Sequence, residues 1–461
     1  MFKKYLPLIL IIVFFSFLFF FRLGWPTLVS WDEAWYASIS REIAKTGDFM
    51  NLKWNGSRFW DHPPAGFWLI SLSYKIFGVN EFATRLPSAI LGLLTIILIY
   101  LSGEWLFKKK SIAFVASMIM GTCVWYVLRA RSGNLDSTLI FFYIMTIYFS
   151  LRSSHDFKFF PLAMSSFALL ILSKTLIGVP AIVLVLFLNF NQIIKFKENK
   201  LFFLCGLACF ILIVFPWYYV QIKSSEDFLN YHFFTVGTRG KNLFSYFRLN
   251  FKQPLFYIHM GIRKWYYFWL LSLVIIVVSF RFLKKNVLFL LIWTFITLYP
   301  FLTSEKTELW HLIPVYLPIA FTMAYAIFEL FKFIFRNEKV TTFVYLSCFL
   351  IISFIQIKTF LPEVIPTSKY IDDEVGISKK LTKYNGNYIL VDQILPRLVF
   401  YSGKKNIRNI NDNNVLKDSF SSQERQIYVM SNWILDGLKK DNVPFTFLEK
   451  NNTFSIIENH Q

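Results

Sequence analysis

The sequence predicts a mainly α protein: a polytopic transmembrane helical bundle of about eleven spans, amphipathic interfacial helices in the first outer loop, and a small C-terminal extracytoplasmic α/β domain. Three observations predict it. Of 461 residues, 56% are hydrophobic, 20% aromatic and only 16% charged, too apolar for an ordinary soluble chain. Apolar runs of roughly 17 to 22 residues, the length a helix needs to cross the hydrocarbon core, recur as far as residue 357. Beyond Lys358 the composition turns polar, with short runs of alternating residues.

Taken in order, the apolar runs fall near residues 5–22, 84–107, 111–128, 137–151, 159–173, 176–190, 201–220, 256–280, 287–302, 312–331 and 340–357. The first follows Lys3 and Lys4 and looks like a signal sequence, but it is long enough to span and no small-residue cleavage site follows, so it reads as a retained helix. The net charge of +20 gathers in short clusters between spans: Lys108 to Lys110, Arg152 and Lys158, Lys195 with Lys197 and Lys200, Arg281 with Lys284 and Lys285, and Lys332 with Arg336 and Lys339. Basic clusters in this arrangement are a topology signal and imply no nucleic-acid partner. They place the N-terminus in the cytoplasm. The loops 23–83 and 221–255, the turns 129–136 and 303–311, and the tail then lie outside. Cys123, Cys205, Cys209 and Cys348 sit in apolar runs without metal-ligand spacing and read as inert.

The first outer loop carries two clusters of charge among tryptophans. Ser30-Trp31-Asp32-Glu33 has capping-box spacing and Gly47 is a stop, predicting a helix over 31–46. Trp31, Trp35, Ile39 and Ile43 form one apolar stripe on it, suited to the membrane interface, with Asp32, Tyr36 and Ser40 along the adjoining face. Glu33 suits the positive end of that helix dipole, a role Asp32 could share. Trp60-Asp61-His62-Pro63-Pro64 then starts a second amphipathic helix that ends at Gly78. Asp61 reads either as an N-cap or as a ligand for a divalent cation, and His62 as a donor to a phosphate oxygen. In Arg129-Ala130-Arg131-Ser132-Gly133-Asn134-Leu135-Asp136 an arginine could anchor to headgroups and Asp136 could cap the next helix, yet two arginines and an acid also suit an anionic substrate. Lys174, Tyr231-His232, Arg239, Lys241, Lys306 and His311 fall on the same predicted face. The chain divides by composition into a membrane domain, 1–357, and a soluble α/β domain, 358–461, whose runs 388–391, 426–430 and 445–448 read as strands.

The Asp-Glu pair after the first helix, Tyr36 to Ile43 followed by Gly47-Asp48, Asn55-Gly56-x-Arg58-Phe59, and Asp61-His62-Pro63-Pro64-Ala65-Gly66-Phe67-Trp68 together resemble the membrane-embedded C-type glycosyltransferases. The likeness is to the lipid A aminoarabinose transferase branch, related to the protein O-mannosyltransferases. It is specific over about residues 25–110 and collinear through Asp136, Ser173-Lys174 and His311-Leu312-Ile313-Pro314. It implies an inverting transfer of a sugar from a polyprenyl-phosphate (undecaprenyl-phosphate-type) carrier to lipid A, an envelope glycan or a protein hydroxyl. Asp32 matches the essential first-loop acid and Asp136 the second acid. Asp61 falls where relatives place a metal-binding Glu, and His232 near a loop histidine of similar role, so a zinc, magnesium or manganese ion is the cofactor implied, with no nucleotide. Glu33, Tyr36, His62, Arg129, Arg131, Lys174, Arg239, Lys306 and His311 are the candidate substrate and phosphate contacts. His62 departs from the branch, which has Lys there, and Trp35 replaces an Arg. The competing reading is a transporter or flippase for lipid-linked sugars, but the sequence shows no internal repeat and its acids cluster in outer loops rather than at mid-membrane.

Overall fold

The computed structural model describes residues 2–28, 31–174, 176–237, 248–278, 285–304, 307–366, 371–391 and 396–459. It is mainly helical, and every predicted apolar run is a helix or a bent helix pair. In chain order these are α1 (Phe2–Phe20), α2 (Trp31–Thr46), a hairpin of β1 (Lys53–Trp54) and β2 (Ser57–Arg58), α3 (Ala65–Phe77), α4 (Glu81–Phe107), α5 (Lys110–Gly121), α6 (Val124–Ala130) and α7 (Asp136–Ser153). They continue with α8 (Phe160–Ile171), α9 (Ala181–Ile194), α10 (Phe196–Ser224), α11 (Lys252–Ile262), α12 (Trp265–Val278), α13 (Lys285–Leu302), α14 (Ile313–Phe335) and α15 (Glu338–Val364). The tail adds α16 (Asp373–Leu381), β3 (Asn387–Val391), α17 (Pro396–Ser402), β4 (Arg408–Ile410), α18 (Asn413–Ser419), β5 (Gln426–Ser431), α19 (Asn432–Lys440), β6 (Phe445–Lys450) and β7 (Phe454–Asn459).

Among the described residues α4, α10, the helical stretch Leu309–Phe335 and α15 are long and apolar enough to span a bilayer individually, and two bent pairs bring the number to six. The runs 111–128 and 256–280 are those pairs: α5 and α6 meet at 73°, α11 and α12 at 119°. A bend exposes backbone groups that a bilayer cannot satisfy, so the protein must supply partners. Gln356 on α15 does so at both breaks, its Nε2 donating to Thr122 O at 3.2 Å and Ile262 O at 3.0 Å. Trp265 Nε1 donates to Thr122 Oγ1 at 2.9 Å across the same junction.

The chain forms two compact units. The first contains residues 1–23, 60–66 and 85–365. Its core centres on α14, where Ile313 to Ala324 are buried without interruption, against α5, α7, α12, α13 and α15. The second contains residues 24–59, 67–84 and 366–461. Its sheet runs β4-β3-β5-β7-β6, with β3 parallel to β4 and β5, and β7 antiparallel to β5 and β6. Alternation along the strands covers both faces: Ile389, Tyr428 and Ile457 pack with Leu435 and Leu438, whereas Leu390, Val429 and Ile456 pack with Ile377, Leu381 and Leu398.

Within this second unit the first-loop helix α2 is held by the C-terminal residues. Arg41 donates to the carbonyls of Val399 and Phe400, and Tyr401 Oη donates to Glu81 Oε1 at 2.9 Å and accepts from Leu28 N at 2.8 Å. Gly47 and Gly78 end α2 and α3 at φ +73° and +74°, as their positions predict. The apolar stripe of α2 changes character along its length: Trp31 is 57% exposed, whereas Ile39 and Ile43 are buried in the unit.

Candidate active site

In the first unit the turn after α6 brings two cations onto one carboxylate. Lys174 Nζ lies 2.7 Å from Asp136 Oδ1 and Arg129 Nε 3.2 Å from Oδ2, and all three side chains are buried. The local geometry explains why Asp136 is available for this. The helix start is capped by Asn134, whose Oδ1 accepts from Asp136 N at 2.8 Å and Ser137 N at 3.1 Å. Asn134 Nδ2 turns back to Arg129 O at 2.6 Å and Ser132 O at 2.8 Å, and Ser137 Oγ donates to Arg129 O at 3.0 Å. One asparagine therefore fixes both ends of the turn. Its signal in the sequence is the Ser-Gly-Asn turn chemistry that precedes α7.

The guanidinium of Arg129 lies over the Trp310 ring, 4.2 Å from its centroid, which confines it to the Asp136 side by cation–π attraction. Beside it, His311 Nδ1 accepts from Glu308 N at 3.3 Å. His311 also lies within electrostatic reach of Asp136. Lys174 and Arg129 on one carboxylate leave a surplus of positive charge in a buried place.

The loop ahead of α3 joins this cluster. Ala65 N donates to Leu172 O at 2.9 Å, pinning the Pro63-Pro64 turn to the turn that carries Lys174. A Cβ on Gly66 would come within 2.4 Å of Leu135 Cδ2, so this close approach needs glycine. His62 feels Lys174, Asp136 and His232, and burial first, then Lys174, pushes its imidazolium pKa down to about 3. It is therefore a neutral donor or acceptor near neutral pH. Asp61 and His232 meet around the π-helical turn Asn230–Gly237, a form frequent at functional sites. Tyr231 Oη donates to Asp61 Oδ1 at 2.8 Å, and His232 Nδ1 faces Trp60 O at 2.7 Å. The second contact puts the ring proton on Nδ1 and leaves Nε2 as an acceptor, which Tyr218 Oη meets at 3.5 Å. Burial raises the pKa of Asp61 and lowers that of His232. Among the described residues no group of three or more His, Cys, Asp or Glu could hold a metal ion, so Asp61 and His232 offer a two-ligand set.

Arg131 is otherwise engaged. Its guanidinium donates to Leu18 O, Phe19 O and Phe21 O at the end of α1 and to Val364 O at the end of α15, at 2.6 to 3.3 Å. It satisfies carbonyls that helix ends leave orphaned. Arg239, Lys241 and Lys306 lie outside the described residues.

Asp32 and its neighbours belong to the second unit. Asp32 and Glu33 stand in the first turn of α2; Glu33 is fully buried and Asp32 partly so. Tyr36 and Ser40 share Asp32's face, and both are buried. Tyr36 meets Phe67 edge to face at 5.4 Å, and Trp35 packs against Trp54 at 5.5 Å and Phe59 at 5.3 Å. The stripe of the helix that carries the acid is thus fixed by aromatic packing.

Residues 61–219 match the model of the dolichyl-phosphate-mannose-protein mannosyltransferase family. An undecaprenyl phosphate-alpha-4-amino-4-deoxy-L-arabinose arabinosyl transferase of Aeromonas hydrophila is 27% identical over 344 residues, 69% of this chain and 60% of the relative. The crystal structure of ArnT from Cupriavidus metallidurans bound to undecaprenyl phosphate superposes with a TM-score of 0.76 at 16% identity, covering 98% of each chain. Together these likenesses support a membrane glycosyltransferase of the ArnT and protein mannosyltransferase branch. An Aquifex aeolicus protein of undescribed activity is 28% identical over 237 residues, half of this chain. The chain spans about half the length of the curated relatives it matches first, 46% and 47% for two of them.

Proposed function

We propose that this protein moves a sugar from a polyprenyl-phosphate carrier to an acceptor on the outer face of the membrane, inverting the anomeric carbon. The observation that carries the reading is the buried cluster in which Lys174 and Arg129 hold Asp136 with one positive charge in surplus. As the bond from the anomeric carbon to the carrier's phosphate oxygen breaks, positive charge grows on the sugar ring and negative charge on the departing phosphate. Lys174 and Arg129 receive that phosphate. Neutral His62 offers it an N–H, and His311 stands within electrostatic reach of the same cluster. Asp136 acts through the two cations as a positioning residue. Arg131 is left out of this group because the carbonyls of two helix ends engage it.

Asp32 is assigned as the base. Where the acceptor is a sugar or protein hydroxyl, its oxygen attacks the anomeric carbon and its proton passes to the Asp32 carboxylate. Where the acceptor is a lipid A phosphate, the nucleophile is already ionised and Asp32 orients it. Asp61 and Nε2 of His232, which Tyr218 Oη meets at 3.5 Å, are the two groups that would hold a divalent ion. Such an ion would neutralise charge on the phosphate. The basic clusters support a cytoplasmic N-terminus with the loops of the site outside. The competing transporter reading would draw on the two bent helix pairs, since broken helices line transport paths, but here buried Gln356 satisfies the backbone at both breaks.

The test is incubation of purified protein with a panel of polyprenyl-phosphate sugars and envelope acceptors, with and without chelator, and mass spectrometry of the products. An acceptor heavier by one glycosyl unit, with release of the carrier phosphate, supports transfer. Movement of the carrier across a vesicle without a glycosylated product supports transport instead.

A further inference from the structure

At the end of α7 remote from Asp136, about 24 Å of axial rise along the helix, lies a basic cluster that the proposed reaction does not use. It is built from the turn between α4 and α5 and the turn between α7 and α8, both in the first unit. The two turns carry Lys108, Lys109, Lys110, Arg152 and Lys158. Three of these cations are paired: Lys109 with Glu338 at 2.8 Å, Lys158 with Asp156 at 2.6 Å, and Lys110 with Glu104 at 3.9 Å. Lys108 and Arg152 have no ion pair among the described residues. Asp156 is within electrostatic reach of Arg152, but its carboxylate is taken by Lys158. The two cations left over converge on one aromatic ring: Lys108 Nζ lies 4.1 Å from the Trp105 centroid and Arg152 Cζ 5.1 Å from it.

The neighbouring contacts hold this arrangement in place. Trp105 Nε1 donates to Leu151 O at 3.1 Å, tying the end of α4 to the end of α7, and the His155 ring meets Trp105 edge-on at 5.2 Å. Arg152 Cζ also stands 4.4 Å from the Phe159 centroid, and its Nη1 donates to Tyr148 Oη at 3.2 Å. Of the five N–H groups of Arg152, that one alone is engaged among the described residues. Aromatic faces hold a cation while leaving its in-plane donors for an anion. Helix C-termini attract cations, which accounts for basic residues here but not for two of them beside one ring without a carboxylate. Two like charges against one ring repel, and an anion that meets both relieves that repulsion and gains charge-assisted hydrogen bonds. Lys108 is exposed and directly follows α4, a helix long enough to span. Phe159 leads into α8, where Leu162 is 45% exposed, so apolar surface adjoins the charged cluster.

We propose that Lys108, Arg152 and Trp105 form a binding site for the headgroup phosphate of an anionic phospholipid, in the leaflet opposite the candidate active site. The phosphate accepts from Arg152 and Lys108, the Trp105 ring packs at headgroup level, and the acyl chains follow the apolar surface that continues into α8. With the loops of the active site outside, this leaflet is the cytoplasmic one. A lipid held there bridges the ends of α4 and α7 and neutralises the two cations the protein leaves unpaired.

The test is native mass spectrometry of the purified full-length protein titrated with phosphatidylglycerol and, separately, with phosphatidylcholine. The parent is expected to bind phosphatidylglycerol at least about fivefold more tightly than phosphatidylcholine. Lys108→Gln/Arg152→Gln should bind phosphatidylglycerol at least about tenfold more weakly than the parent, and Lys108→Gln alone, at an exposed position, about fivefold more weakly. Lys197→Gln/Lys200→Gln removes two exposed cations from α10 and should stay within about twofold of the parent. Equal binding of the two lipids by the parent, an equal loss in the α10 pair, or full phosphatidylglycerol affinity in Lys108→Gln would overturn the proposal. Inorganic phosphate that displaces the lipid at equal concentration would make this a site for a free anion and overturn the lipid assignment. The measurement needs no turnover, so a protein that binds the lipid and transfers no sugar would count against the transfer reading alone.

Discussion

Replacing Lys174 by methionine removes the 2.7 Å contact to Asp136 while keeping most of the side chain's volume. At an effective dielectric of about 20 the gross attraction at that distance is about 6 kcal/mol. Much of it offsets the lost hydration of two buried charges, so the net loss is smaller. Breaking a buried pair by removing one partner costs about 3–5 kcal/mol, because the other charge is left uncompensated. Here Arg129 remains 3.2 Å from the second oxygen, so the lower end, about 3 kcal/mol, is expected. The readout is unfolding of the purified protein in detergent, followed by tryptophan fluorescence. Asp136→Asn in the same chain leaves buried Arg129 as the uncompensated charge, so the double variant should be less stable than Lys174→Met alone, yet by less than the sum of the two single losses, because the pair between Lys174 and Asp136 is lost only once. Additive losses in this cycle, or a Lys174→Met protein as stable as the parent, would refute the account of Asp136 as counter-ion.

Two further outcomes follow from the same neighbourhood. Asn134→Ala removes the acceptor for Asp136 N and Ser137 N and should cost about 1 kcal/mol, with faster amide exchange over the first turn of α7 than elsewhere in that helix. His62 is held at about 3, so between that value and its ordinary 6.5 the unfolded chain binds the proton and the folded protein does not. Stability should therefore fall as the pH drops below 6.5, by about 1.4 kcal/mol at pH 5.5, and His62→Gln should flatten that part of the stability profile.

Much of the helical layout was legible because apolar length is written directly in composition: each predicted run became a helix. The bends at Thr122 and Arg263 were not, since both halves of each pair are apolar and hydropathy carries no direction. Their partner, Gln356, lies more than ninety residues from either break. The strands at 387–391, 426–431 and 445–450 showed alternation, whereas β4 is three residues long and β7 lies close to the chain's end. At the site, Asp136, Arg129 and Lys174 could be named from charge near the outer boundary, and the structure brings them together with His62. Trp310 beneath Arg129 and the double role of Asn134 could not, because both depend on which turns meet. Arg131 had the same residue type and setting as Arg129, and only the carbonyls around it separate an anchor from a substrate contact. The clasp of Arg41 on Phe400 spans more than 350 residues, beyond any local pattern.

The most direct measurement compares Asp32→Asn with the parent protein in two assays on the same purified sample: affinity for undecaprenyl phosphate and transfer of sugar from its glycosylated form to a hydroxyl acceptor. With Asp32 as the base and Lys174 and Arg129 as the phosphate ligands, the variant binds the carrier as tightly as the parent and transfers no sugar. A variant that still transfers sugar at the parent's rate, or one that loses carrier binding and turnover together, would contradict that division of roles.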